Sequence, residues 1–141
     1  MKILNIWLAL YLAFGAAQVQ AGDLDLKITF KSIKNPTALL WVAVFDEKSH
    51  FLVQGKAVKV GKVQPQGSQG ILQLKGLRPG TYAVAVYQDT NSNEKLDQNF
   101  LGIPKEPYGF SNDAAGVFGP PSFEDSSIEL SGDRSIEINL R

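Results

Sequence analysis

Gly76-Leu-Arg-Pro-Gly-Thr-Tyr-Ala-Val-Ala-Val-Tyr87 runs from a tight turn straight into an apolar segment. Gly76 to Gly80 holds residues that set or permit special backbone angles. After them Tyr82, Val84 and Val86 fall on one face while Ala83, Ala85 and Tyr87 fall on the other, the period of a strand. Upstream, Leu24, Leu26, Ile28 and Phe30 alternate with polar residues, which predicts a first strand with one wet face. Ala38 to Phe45 is apolar at both parities, as in a central strand covered on both sides, with small Ala43 making room for Trp41 and Phe45 on its face. Further strands are predicted near Lys56 to Val63 and Gln69 to Lys75, and Asp46 to Gly55 fits a short helical turn. Ser127 to Leu130 and Ser135 to Leu140, separated by Ser131-Gly-Asp133, read as a closing hairpin. No amphipathic helix of ten or more residues is visible. About seven short strands with Gly/Pro punctuation predict an all-β, antiparallel β-sandwich.

The first 21 residues have the form of a signal peptide: Lys2, an apolar run from Ile6 to Phe14, and small residues Val19 and Ala21 before a cut that starts the mature chain near Gly22. The apolar core is far shorter than the ~20 residues a membrane span needs, so stable membrane insertion is not expected after cleavage. The expected organisation is 1–21 signal peptide and 22–141 one sandwich domain, with a periplasmic or secreted address. Cysteine is absent, so burial, or burial plus an ion, must hold the fold. Fourteen basic side chains balance fourteen acidic ones, scattered singly, which leaves no footprint for nucleic acid.

Directly after the apolar strand, Asp89-Thr-Asn-Ser-Asn-Glu-Lys-Leu-Asp97 sets side-chain oxygens at alternate positions. Asp89, Asn91, Asn93 and Asp97 take positions one, three, five and nine of a calcium loop, with the Lys95 carbonyl at seven. Glu94 stands where a sharp turn favours glycine, and Phe100 where a bidentate Glu completes the shell. With two certain carboxylates the affinity belongs in the range of about 10⁻⁴ to 10⁻³ M, and Glu94, Glu106 or Asp113 is available to add a ligand. Two readings stand open: a weak calcium site, or Asp and Asn side chains that cap a turn by accepting backbone N–H groups. The next segment, Phe100 to Phe123, is rich in Gly, Pro and aromatics and is long for a connection in a compact domain. Its aromatics predict an ordered cover over the sheet, either as a satellite core or as a groove for a glycan or small apolar ligand lined by Tyr87, Tyr108, Phe110 and Phe118.

The turn Gly76-Leu-Arg-Pro-Gly-Thr-Tyr82 resembles the corresponding turn of transthyretin-like, or prealbumin-like, sandwich domains. The stretch from Gly80 through Phe123, with Tyr-Gln-Asp-Thr-Asn-Ser-Asn-Glu-Lys-Leu-Asp, Gly-Ile-Pro-Lys-Glu-Pro-Tyr-Gly-Phe-Ser-Asn and Phe-Gly-Pro-Pro-Ser-Phe-Glu-Asp, resembles a family of secreted bacterial proteins catalogued as domain of unknown function number twenty-one forty-one. That resemblance implies a transthyretin/Ig-like β-sandwich and an exported address, and it brings no activity. It also implies glycine at position six of the acidic loop, where this chain has Glu94.

Enzymatic alternatives find little material. His50 is the single histidine, so zinc, copper and iron sites of ordinary composition cannot be assembled. Ser49, Ser111 and Asp113 permit a Ser-His-Asp arrangement with His50 by arithmetic alone, without a nucleophile elbow. Transthyretin-like ureide hydrolases carry a C-terminal Tyr-Arg-Gly-Ser run, whereas this chain ends Glu-Ile-Asn-Leu-Arg141. The sequence therefore predicts a non-enzymatic binding or structural module of the bacterial envelope, whose partner is an envelope protein, a glycan or a small apolar ligand. A ligand carrier and an uncharacterised hydrolase are the rivals.

Overall fold

A computed structural model describes Gly22 and residues 24–141. The predicted signal peptide lies outside the described residues. In the described residues eight strands follow one another: β1 (Leu24–Lys31), β2 (Leu39–Phe45), β3 (Lys59–Val63), β4 (Gly70–Leu77), β5 (Gly80–Asp89), β6 (Tyr108–Phe110), β7 (Ser127–Leu130) and β8 (Arg134–Asn139). They form a three-stranded sheet in the order β4-β1-β8 and a five-stranded sheet in the order β3-β2-β5-β6, with β7 also paired to β5. The fold is an all-β sandwich. Among the described residues helix is limited to α1 (Phe123–Ser126) and 3₁₀ turns at Lys48–His50 and Ser111–Asp113.

Period-two alternation decides which side chains meet between the sheets. Leu26, Ile28 and Phe30 of β1 are fully buried against Leu40, Val42 and Val44 of β2 and Tyr82, Val84 and Val86 of β5. Burying each such side chain contributes about 1.5–3 kcal/mol, the main source of cohesion in a chain without disulfides. Gly109 of β6 also faces inward, and a Cβ there would stand 2.8 Å from Ile138 Cγ2 and 3.0 Å from the Asn139 carbonyl oxygen. Only glycine lets β6 approach β8 so closely. The chain end completes that side, since Tyr108 and Arg141 exchange backbone hydrogen bonds at 3.2 and 3.0 Å.

Two features depart from the sequence expectation. Seven strands become eight because Tyr108–Phe110 pairs with β5, inside a segment that has no strand period of its own. The closing pair is not a hairpin: β7 runs antiparallel to β5 and β8 runs parallel to β1, Leu26 opposite Arg134 through Lys31 opposite Asn139. Ser131-Gly-Asp133 thus carries the chain from one sheet to the other, and the Asp133 carboxylate accepts the Asp25 N–H at 2.8 Å where it lands. All other strand pairs are antiparallel.

The segment Phe100 to Phe123 is partly a cover. Phe110 and Phe123 pack with Phe51 at ring distances of 6.2 and 5.8 Å, and Phe51 stacks edge-on against Phe45 at 5.6 Å. Lys48 closes the same cluster from above by an ion pair to Glu124 at 2.7 Å, which holds the Glu124 carboxyl below its ordinary value. Phe100 and Phe118, expected in the cover, project into solvent. Each sits at the tip of a tight turn, beside Gly102 or between Gly116 and Gly119, with no sheet surface beneath it.

Candidate functional site

The acidic loop leaves the C-terminal end of β5 and folds around two buried carboxylates. Asp89, 4 % exposed, accepts the Asn93 N–H at 3.1 Å and the Glu94 N–H at 2.8 Å. Glu106, 5 % exposed, accepts the Thr90 N–H at 2.9 Å and the Asp97 N–H at 3.1 Å, so it clasps both ends of the loop from the returning chain. Between them Asn91 accepts from Asn93 N–H at 3.3 Å and Asn93 from Lys95 N–H at 3.0 Å. Side-chain acceptors at positions one, three and five thus wind the backbone inward, and the residue at position six, Glu94, takes a left-handed φ of 62°. Such a conformation costs a non-glycine residue about 1 kcal/mol. Asp97 at position nine accepts the side-chain amides of Asn91 at 2.5 Å and of Asn93 at 2.9 Å. Phe100 at position twelve points away, and Asp113 is engaged elsewhere, holding the Asn139 N–H at 2.8 Å. Among the described residues no group of three or more His, Cys, Asp or Glu side chains is placed to hold a metal ion.

Asp89 shares the outer face of the five-stranded sheet with Tyr87, two residues before it. Burial, with Asp89, Glu106, Glu94 and Asp97 nearby, pushes the Tyr87 phenol up from 10.0 to about 12. Across the strands Tyr87 lies opposite Trp41 on β2 and Tyr108 on β6. Lys62 of β3 is opposite Trp41 in turn, and its ammonium lies 4.1 Å from the indole centroid. The residues predicted for an aromatic groove are therefore brought together in part. Tyr87, Tyr108 and Phe110 share this face, Tyr108 and Phe110 with rings 6.1 Å apart, while Phe118 stands on its own exposed turn. Trp41, placed by sequence on a strand face beside Ala43, and Lys62 were not predicted to belong to this site. The repeated aromatic-x-Ala spacing of Trp41/Ala43 and of Tyr87/Ala85, read in opposite directions, is the signal that would have paired them.

The nucleophile candidates have structural engagements. The buried Ser111 hydroxyl accepts the Val84 N–H at 2.9 Å and donates to the Ser126 carbonyl. His50 approaches Glu47 at 3.5 Å, and Ser49 donates to Glu47 at 2.6 Å. Two surface depressions accompany these sites, one of ≈ 220 Å³ beside Asp25, Asp133 and Arg134 and one of ≈ 280 Å³ beside Gln66 and Gln69. Both are polar strand-edge hollows remote in sequence from the acidic loop.

No curated protein matches this chain. Among solved structures, a fimbrial assembly protein from Parabacteroides distasonis ATCC 8503 is similar at 15% sequence identity and a TM-score of 0.44, over 84% of this chain and 52% of that one. The chain thus spans about half the length of that protein. A family model described as "Uncharacterized protein conserved in bacteria" matches residues 28–139, from the middle of β1 to the end of β8 and through both candidate sites. The chain belongs to this family, DUF2141.

Proposed function

We propose that the protein is an exported, non-enzymatic binding or structural module of the bacterial envelope, stabilised by weak calcium binding in the Asp89–Asp97 loop. The observation that carries the reading is the winding of that loop: acceptors at positions one, three and five, and a left-handed residue at six, in the arrangement that a calcium loop uses. The donor set suits a hard cation, with Asp89 and Asp97 as carboxylates, Asn91 and Asn93 as amide oxygens and the Lys95 carbonyl. With position twelve lost to Phe100, affinity falls in the range of about 10⁻⁴ to 10⁻³ M. The engagement of Asp89, Glu106 and Ser111 with backbone groups favours a structural role for them over a catalytic one. Export rests on the form of residues 1–21.

Thermal melting tests the ion. The melting temperature should rise in millimolar calcium and fall back with chelator, and Asp97→Asn should blunt the response while Glu129→Gln, far along β7, should not. An unchanged melt of the parent protein in calcium and in chelator would overturn calcium stabilisation. A carrier function is the second reading, favoured by the alignment of Trp41, Tyr87 and Tyr108 on one sheet face.

A further inference from the structure

Trp41, Tyr87 and Tyr108 stand opposite one another on β2, β5 and β6, so they occupy one row across the outer face of the five-stranded sheet, on neighbouring strands roughly 5 Å apart. One row further along, Ala43 and Ala85 are paired and leave the middle of the face low, with Val60 at one end of that row and Phe110 at the other. Beyond them stand Phe45 and Phe51, their rings edge-on at 5.6 Å. The result is a shallow depression over the two alanines, bounded by the Trp41–Tyr87 row, by Phe110 with Tyr108 at the β6 end, and by Phe45.

Charge tells what would lie in it. At one end of the row the Lys62 ammonium rests over Trp41, a cation of the chain itself already using a ring face. At the other end the loop after Asp89 gathers Asp89, Glu94, Asp97 and Glu106 against Lys95 and Lys105, and Tyr87 lies within the field of all four carboxylates. Negative ring faces and negative potential therefore coincide at Tyr87 and Tyr108, the end of the row away from Lys62. Apart from Glu94, which is exposed, the carboxylates offer charge with their oxygens already engaged. Asp89 and Glu106 receive backbone N–H groups on both oxygens, and Asp97 receives the amides of Asn91 and Asn93. A primary ammonium placed there would leave N–H groups unmatched, whereas a cation without N–H donors loses nothing by their occupancy.

We propose that Tyr87 and Tyr108, beside the Asp89–Asp97 loop, form a site for a small organic cation of the quaternary-ammonium type. The proposal rests on the binding-module reading and gives it a ligand class. The trimethylammonium head sits against the tyrosine rings, and the acidic loop in its calcium-free state supplies long-range attraction without direct hydrogen bonds.

NMR titration of the protein with choline, and in parallel with its uncharged isostere 3,3-dimethylbutan-1-ol, tests the site. Choline should produce saturable shifts at Tyr87 and Tyr108, with the alcohol binding at least about 5-fold more weakly, since a cation–π contact at a surface site is worth ~0.5–1 kcal/mol per ring before the carboxylates add to it. Tyr108→Leu should weaken choline about 2- to 5-fold, and Tyr108→Phe, which keeps the ring, should restore it. Asp97→Asn should weaken choline and leave the alcohol unchanged. Equal response to choline and to the alcohol, or no saturable shift at tens of millimolar choline, would overturn the proposal. The outcome is separable from the calcium test: choline binding by a protein whose melt ignores calcium removes the ion and keeps this site, and the opposite pair of results removes this site alone.

Discussion

The Ser111 hydroxyl and the Val84 N–H meet at 2.9 Å at the point where β5 changes partners. β6 pairs with β5 from Tyr87 to Ala85 and β7 takes over at Ala83, so Val84 falls between two ladders. Ser111 fills the missing rung and passes its own proton to the Ser126 carbonyl, tying the end of α1 into the junction. Ser111→Ala would leave a buried donor unmatched, a loss of about 1–3 kcal/mol. Urea unfolding should register it as a lower midpoint at unchanged slope. A midpoint within error of the parent would mean that the rung is dispensable.

Glu106 is the hinge pin of the acidic loop. Glu106→Gln keeps shape and size but turns an N–H donor toward either the Thr90 or the Asp97 N–H, both of which the carboxylate now accepts. Hydrogen bonds to a charged acceptor are worth about 1.5–3 kcal/mol, so the loop should open locally more than the sandwich weakens. Hydrogen exchange at Thr90 and Asp97 should accelerate strongly while amides of β1 and β2 keep their protection. Uniform acceleration across both sheets would contradict a local role.

Alkaline pH should weaken the fold through Tyr87. In the native protein its phenol holds its proton up to about 12, while in the unfolded chain it releases it near 10.0. Between those values the native state binds more protons, so its stability is whole below pH 10 and falls as pH rises toward 12. Because the ring is only partly covered, solvent screening reduces the effect to about 1 kcal/mol or less. Tyr87→Phe removes this contribution, and the parent should lose stability relative to that variant across the window. Parallel pH profiles for the two proteins would show that the phenol is not perturbed.

The strands that alternate cleanly were legible from sequence because one face of each is buried: β1, β2, β4 and β5 fall within a few residues of expectation. What sequence does not encode locally is the choice of partner. Ser127 to Leu130 and Arg134 to Asn139 have hairpin spacing, yet their apolar residues, Ile128 and Leu130 on one and Ile138 on the other, are buried from opposite sheets. β6 is three residues long and owes its existence to the β5 edge and to the Gly109 approach. The acidic loop was legible because its spacing is local. Trp41 was not, because its place beside Tyr87 depends on the register of β2 against β5.

The parallel pairing of β8 with β1 joins the last strand of the described residues to the first. A protein delivered N-terminus first holds β1 with one edge bare until Arg134 to Asn139 arrive, and the contact must span nearly the entire chain. Pairings of such long sequence separation form slowly and leave strand edges exposed to neighbours. The vulnerable interval is therefore the one before β8 has paired with β1, and deletion of Arg134 to Asn139 should turn a folded sandwich into an aggregating one. The six residues of β8 act as a completion signal, read by the fold itself.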